Sequence, residues 1–311
     1  MITFGPVPSR RLGNSLGINN IPPKHCSFAC VYCQAGRTDA MQITRRTFYK
    51  TEEVIQAVAS RIAQVQEQGD KIDYVTFVPD GEPTLDIHLG EEIEAIQNMG
   101  YPVAVISNAS LITDRQVRLE LSKADWVSLK VDSPIEEVWR KINRPHSKLV
   151  IEQILNGILA FAHEFQGELV TETMLVEGIN DDEQSIGKLI SFLKTLQPFK
   201  VYLSIPTRPP EESWVRAPGL ESVQRIGARV AEHIPVVELL INMEEGKFVS
   251  TGNLAEDILG ITAVHPLRED ALHEMVKQAG GDWQVIDDLM QKQLIRKVLY
   301  RGHPYYVHAG R

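Results

Sequence analysis

Cys26-Ser27-Phe28-Ala29-Cys30-Val31-Tyr32-Cys33 holds all three cysteines of this 311-residue chain. Their spacing is C-x3-C-x2-C. Thiolates this close together can bind three corners of a cubic [4Fe-4S] cluster, whereas the ferredoxin type uses four cysteines and leaves no iron open. The fourth iron then has room for another ligand. An odd, tightly grouped set of cysteines is no disulfide framework and reads as metal chemistry in a reducing compartment. Zinc is the alternative. Structural zinc takes four protein ligands, and His25 is a candidate fourth, although its place directly before Cys26 makes such a site awkward.

The charge around this stretch is lopsided. Residues 1–50 carry Arg10, Arg11, Lys24, Arg37, Arg45, Arg46 and Lys50 against the single acid Asp39, so a segment of +6 sits in a chain of net charge −9. An acidic chain is a poor candidate for wholesale wrapping by nucleic acid, yet the local positive charge suits a thiolate cluster and an anionic substrate. With 43% hydrophobic residues, the length fits a large α/β domain with a small appendage, or two domains. Met1-Ile2-Thr3-Phe4-Gly5-Pro6 lacks a basic-then-apolar signal, and no run of about 18 apolar residues is long enough to span a membrane. These features predict a cytoplasmic, soluble protein with no membrane partner.

Strand-like and helix-like segments alternate beyond the cysteines, the mark of repeated βα units around a parallel sheet. Strands are expected near Leu16 to Asn19, Tyr74 to Val78, Val103 to Ile106, Trp126 to Val131, Glu168 to Val176 and Lys200 to Ile205, with a short seventh at Val236 to Ile241. Helices follow at the 3.6-residue period, including one with Thr51 as its N-cap, one opened by Thr113-Asp114 and one over Asp182 to Leu196. The fold class expected is α/β, a partial (β/α)6 TIM-like barrel open on one side, with its active face at the strand C-termini. Near Ser250 the composition changes. Three helical patterns and a hairpin follow, so residues 1–249 are read as the barrel and residues 250–311 as a small winged-helix-like domain. Its charges nearly balance, which makes duplex DNA an unlikely partner.

Two further stretches carry chemistry. Asp80-Gly81-Glu82-Pro83-Thr84 follows a strand directly, the position of a ligand-binding loop. The next strand ends in Ser107-Asn108, and the one after it in Ser128-Leu129-Lys130-Val131-Asp132. Alternation places Ser128, Lys130 and Asp132 on one face. A lysine inside a barrel needs a partner. A bound carboxylate, Asp132 and Glu172 are the candidates, and Thr171 and Thr173 are weaker polar candidates on the later strand.

On these residues the chain resembles the radical S-adenosylmethionine (radical SAM) superfamily over roughly residues 1–245. The resemblance rests on the three cysteines, Tyr32 just before the last of them, and Gly81-Glu82-Pro83, which is similar to the family's Gly-Gly-Glu-Pro motif with Asp80 replacing the first glycine. It implies that Cys26, Cys30 and Cys33 hold a [4Fe-4S] cluster whose open iron chelates S-adenosyl-L-methionine. Reductive cleavage of the cofactor then gives a 5′-deoxyadenosyl radical. It also implies that the Tyr32 backbone lies beside the adenine, that Gly81 and Glu82 meet the methionyl ammonium, and that Ser107, Asn108 and Lys130 approach the ribose or carboxylate. Such a cluster is oxygen-sensitive and needs an electron donor such as flavodoxin or ferredoxin.

Within the superfamily, Gly5-Pro6-Val7-Pro8-Ser9-Arg10-Arg11-Leu12-Gly13, Ser15-Leu16-Gly17-Ile18 and Pro22-Pro23-Lys24 look like the branch related to the wyosine tRNA-modifying enzymes. That branch's second cluster and its flavodoxin domain have no counterpart here. Arg10, Arg11, Arg144, His146 and Arg208 are the polar residues expected to meet a substrate, and arginine suits bidentate recognition of phosphate or carboxylate. The expected activity is therefore cleavage of S-adenosylmethionine on behalf of an anionic small molecule. A tRNA base is one alternative substrate, and an iron–sulfur redox sensor acting through the C-terminal domain is the alternative from another class.

Overall fold

The computed structural model describes residues 1–241 and 253–310; the expected boundary between residues 249 and 250 lies outside the described residues. The chain opens with an antiparallel hairpin, β1 (Thr3–Ser9) and β2 (Gly13–Ile18), followed by the cysteine loop with its two short strands β3 (His25–Cys26) and β4 (Ala40–Met41). Then come α1 (Thr51–Glu67), β5 (Tyr74–Phe77), a short 3-10 turn at Pro83–Leu85, α2 (Leu89–Gln97), β6 (Val103–Ser107), α3 (Arg115–Leu121) and β7 (Trp126–Lys130). The barrel continues through α4 (Glu136–Asn143), α5 (Ile151–Glu164), β8 (Glu168–Met174), α6 (Glu183–Leu196), β9 (Lys200–Ser204), α7 (Leu220–Ala231) and β10 (Val237–Leu240).

These strands form one sheet in the order β1-β2-β5-β6-β7-β8-β9-β10, parallel from β2 onward. The result is an α/β fold whose parallel sheet curls into a partial barrel, with β1 added antiparallel at one edge. Alternation along each strand sorts the side chains. Leu16, Val75, Phe77, Val105, Val127, Leu129, Leu169, Val201 and Leu203 join the helices in the main core. The other face carries Ala104, Trp126, Val170, Tyr202 and Leu240, which pack around Leu12 from the β1–β2 turn and form an apolar floor inside the curl. Burying each large aliphatic side chain of the outer layer stabilises by roughly 1.5–3 kcal/mol. Arg10, in the same turn, donates from Nη1 to the Leu240 carbonyl at 2.9 Å and so ties the first hairpin to the last parallel strand.

Helix starts follow local chemistry. Asp114 and Asp182 accept from backbone N–H groups of the first turns of α3 and α6, as expected of N-caps. Thr51 does not cap α1. Lys50 occupies that position without a side-chain bond, and the Thr51 hydroxyl donates to Glu91 at 3.3 Å.

Beyond the barrel lie α8 (Leu254–Val264), β11 (Leu267–Arg268), α9 (Glu269–Gln278), α10 (Gln284–Gln291), β12 (Ile295–Tyr300) and β13 (His303–His308), the strands pairing as β11-β13-β12. This unit has its own core, including Ile258, Ile261, Leu272, Met275, Ile286 and Ile295. It is fastened to the barrel by a buried ion pair, Arg61–Asp257 at 3.1 Å, and by Tyr300 and Tyr305, which donate to the carbonyls of Pro206 and Thr207. Gly260 lets α8 approach β1, since a Cβ there would meet the Met1 sulfur at 2.7 Å and the Phe4 Cβ at 3.4 Å. A cavity of about 140 Å³ results inside the curl, lined by Arg11, Ser15, Thr76 and Ile106 from the barrel and by Val264 and His265 from α8 and its C-terminal cap.

Candidate functional site

The two motifs found in the sequence form a single backbone unit. His25 and Gly81 make a parallel bridge, and Glu82 N donates to the His25 carbonyl at 3.1 Å. Only glycine fits at position 81, because a Cβ would stand 1.9 Å from that carbonyl oxygen. Asp80, the departure from the family's glycine, pairs with Lys24 at 2.8 Å, while Lys24 N donates to the Asp80 carbonyl. Lys24 Nζ also donates to the Ala35 carbonyl, so one lysine links the Glu82 loop to the turn after Cys33.

Glu82 is 1% exposed and fully engaged. Its Oε1 accepts from Thr84 N, Thr84 Oγ1 and Ser107 Oγ, and its Oε2 from Asn108 N at 2.7 Å. Burial pushes its carboxyl above the usual range, and these donors pull it back toward the ionised form. Ser107 and Asn108 therefore hold the Glu82 loop against the end of β6.

Each cysteine sulfur has N–H donors. Asn108 Nδ2 lies 3.4 Å from Cys26 Sγ and Asn143 Nδ2 3.4 Å from Cys30 Sγ, and the nearby backbone N–H groups of Phe28, and of Ala35 and Gly36, favour the thiolates of Cys26 and Cys33 respectively. Burial raises all three thiols, that of Cys30 to about 12 with the Asp132 charge adding to the effect. A thiol so placed ionises when a metal binds it, and N–H donors suit the resulting thiolates. The donor set fits an iron–sulfur cluster. Among the described residues no three His, Cys, Asp or Glu side chains converge on a single ion. His25 is turned to the Pro23 carbonyl, at 3.1 Å from Nδ1, and lies edge-on to Phe48.

Beneath the loop, Tyr32 is 7% exposed and donates to Asp132 Oδ2. Asp132 also accepts from Asn143 Nδ2 at 2.6 Å and from Met174 N at 2.8 Å. Lys130 therefore takes the other acid. Its Nζ lies 2.8 Å from Glu172 Oε1 and 5.3 Å from the centre of the Tyr32 ring. Glu172 sits opposite Lys130 on the neighbouring strand, accepts from Ser204 at 3.1 Å and pairs through Oε2 with Arg11. Sequence reasoning weighed Glu172 only as a structural partner, yet it is a hub of the interior. Thr171 and Thr173 alternate with it and face the other way, and the Thr173 hydroxyl donates to the Val131 carbonyl at 2.7 Å.

The arginines expected to meet a substrate divide. Arg10, Arg11 and Arg208 gather inside the barrel, close enough that burial and mutual repulsion lower Arg208 to about 9 and Arg11 to about 10. His265, behind them, is held well below its ordinary value by burial and by Arg208. Arg208 donates to Gln34 at 2.8 Å. Arg144 and His146 lie apart, on the outer side of the cysteine loop. Arg144 pairs with Glu212, and His146 N donates to the Ser27 carbonyl at 2.9 Å.

Comparison with known proteins gives the family. The profile of the radical SAM superfamily matches residues 20–190. A UPF0026 protein of Methanocaldococcus jannaschii is 46% identical over 98% of this chain and 95% of its own length. One from Synechocystis is 39% identical over 66% of this chain and 76% of its own. The solved structure of TYW1 with a lysine-pyruvate adduct bound shares the fold, with a TM-score of 0.56 and 17% identity over 72% of this chain and 76% of the other. With over half its length matched by that profile and nearly all of it by a UPF0026 protein, the chain belongs to the radical SAM superfamily of enzymes and to the UPF0026 family.

Proposed function

We propose that Cys26, Cys30 and Cys33 hold a [4Fe-4S] cluster at which S-adenosyl-L-methionine is reductively cleaved, and that the substrate is an anion bound inside the barrel. The observation that carries this reading is the backbone bridge between His25 and Gly81, which sets the Gly81-Glu82 loop against the three thiols. When bound, the cluster and cofactor supply one-electron cleavage of a sulfonium C–S bond and a carbon radical that abstracts hydrogen. The chain's own residues do the positioning. Gly81 offers backbone at closest approach, Glu82 fixes Ser107 and Asn108 at the cofactor's edge, and Lys130 stands over the Tyr32 ring where a carboxylate of the cofactor would join Glu172 as its partner.

Arg10, Arg11 and Arg208 support the anionic substrate, since a bound anion relieves the repulsion among buried guanidinium groups. For a tRNA substrate, phosphate contacts by the cationic N-terminal segment would fall to few side chains. Arg10 and Arg11 lie inside the barrel, where a small anion but not a polynucleotide backbone could meet them, and Lys24 and Arg45 are engaged with Asp80 and Glu120. We read the small-molecule substrate as the better supported, and the wyosine-related branch as a kinship of motifs. Residues 250–311 are read as winged-helix-like, supported by the run of α8, β11, α9, α10 and the β12–β13 hairpin. A cytosolic carrier such as flavodoxin or ferredoxin is the expected electron donor.

The decisive experiment is anaerobic reconstitution followed by dithionite and S-adenosylmethionine. Formation of 5′-deoxyadenosine is expected; its absence from fully clustered protein overturns the reading. Metabolite and tRNA-nucleoside profiles of a deletion strain against a Cys30→Ala strain then identify the substrate.

A further inference from the structure

We propose that Asn143 tunes the reduction potential of the cluster by donating its side-chain amide to Cys30 Sγ. This rests on the cluster reading above. Asn143 is the last residue of α4, 2% exposed, and the next residue, Arg144, turns the chain left-handed with φ of 43°. The helix end is joined to the cysteine loop by backbone bonds, Ala29 N to the Asn143 carbonyl at 3.0 Å and Val31 N to the Ile142 carbonyl at 2.9 Å. This seam holds the Asn143 main chain beside the cysteine loop.

Its orientation is fixed by its neighbours. Asp132 Oδ2, an acceptor, lies 2.6 Å from Nδ2, so the nitrogen and not the oxygen must face inward. One amide hydrogen goes to Asp132, and the second is directed between Cys30 Sγ and the Tyr32 hydroxyl oxygen, each at 3.4 Å. The Tyr32 hydroxyl, also 3.4 Å from Nδ2, directs its own proton to Asp132. Asn108 serves Cys26 in the same way. Its Oδ1 accepts from Ser110 N at 2.9 Å, which turns Nδ2 to the sulfur.

Reduction adds a negative charge to the cluster, and a fixed N–H donor at a ligating sulfur stabilises that extra charge; hydrogen bonds to the sulfurs are among the factors that set cluster potentials. A buried carboxylate nearby has the opposite effect. Asn143 stands between Cys30 and Asp132, so it supplies the favourable dipole and engages the unfavourable charge.

The test is a redox titration of the reconstituted cluster followed by electron paramagnetic resonance. In Asn143→Leu the reduced-to-oxidised ratio at a given poise should fall about tenfold, equivalent to about 59 mV for one electron. Ile142→Val, a packing change at the adjacent buried position, should leave the midpoint where it is. Equal midpoints in fully loaded wild-type and Asn143→Leu protein overturn the proposal. If Asn143→Leu loads poorly, the Asn108→Ser protein with isotopically labelled asparagine decides. A hyperfine coupling from asparagine nitrogen to the reduced cluster supports the assignment, and its absence overturns it. Wild-type protein that assembles no cluster, seen in its iron and sulfide content, removes the cluster reading itself before any potential is measured.

Discussion

Lys24 and Asp80 lie 2.8 Å apart, and the same lysine's N–H donates to the same aspartate's carbonyl. Where the family motif has a glycine, this chain has half of an ion pair that fastens the Glu82 loop to the cysteine loop. Asp80 is 6% exposed, and burial holds its carboxyl above the ordinary range even beside the lysine. Replacing it with glycine leaves the Lys24 cation little exposed without its acid and frees the loop. Asp80→Gly should lower stability by about 2–3 kcal/mol, with Asp80→Asn losing less. Denaturant unfolding of the two variants against wild type measures the difference.

Gly81→Ala tests the bridge itself. The added methyl would need 1.9 Å of separation from the His25 carbonyl oxygen, so the two loops must part. Formation of 5′-deoxyadenosine should fall by about a hundredfold or more while far-ultraviolet circular dichroism stays native.

Glu172 keeps Lys130 and Arg11 together in the barrel interior. Glu172→Ala leaves two half-buried cations facing each other and should cost about 2–3 kcal/mol. Combining it with Lys130→Met should recover much of that loss, a non-additivity that a double-mutant cycle of denaturant midpoints reads directly.

Glu92, on α2, is 0% exposed, and neither carboxylate oxygen has a hydrogen-bond partner among the described residues. Burial, with Asp86 and Glu91 nearby, raises its pKa to about 9. The folded state therefore keeps a proton that the unfolded chain releases near its ordinary value of 4.5. Stability should fall as pH rises between those two values, by up to about 1.4 kcal/mol per pH unit. Glu92→Gln removes this slope and should be more stable than wild type by about 2–3 kcal/mol at neutral pH, as thermal unfolding across a pH series would record.

The parallel strands were legible because strands buried on both faces read as short continuous apolar runs, as at Tyr74–Phe77 and Lys200–Ser204. β1 was not, because Gly5, Pro6 and Pro8 argue against a strand, and only its edge position tolerates them. α4 was missed for its shortness and polarity, with Trp139, Ile142 and Asn143 its only buried residues. That omission hid Asn143, which in the sequence stands in a polar turn beside Arg144 and His146 but in the fold points at a thiol. Alternation put Lys130 and Asp132 on the inner face, yet only the register of β7 against β8 decided that Glu172 is the lysine's partner. The split among the arginines was likewise invisible, since each one's direction is set by tertiary packing.

Val264 and His265 share a chamber with Arg11 and Thr76. One wall of this enclosure is contributed by residues from beyond the last parallel strand, far along the chain from the hairpin that supplies Arg11. Cutting the protein before α8 would thus open the chamber to solvent as well as remove a neighbour, and any molecule that pulled on the C-terminal unit would alter how well the chamber is closed.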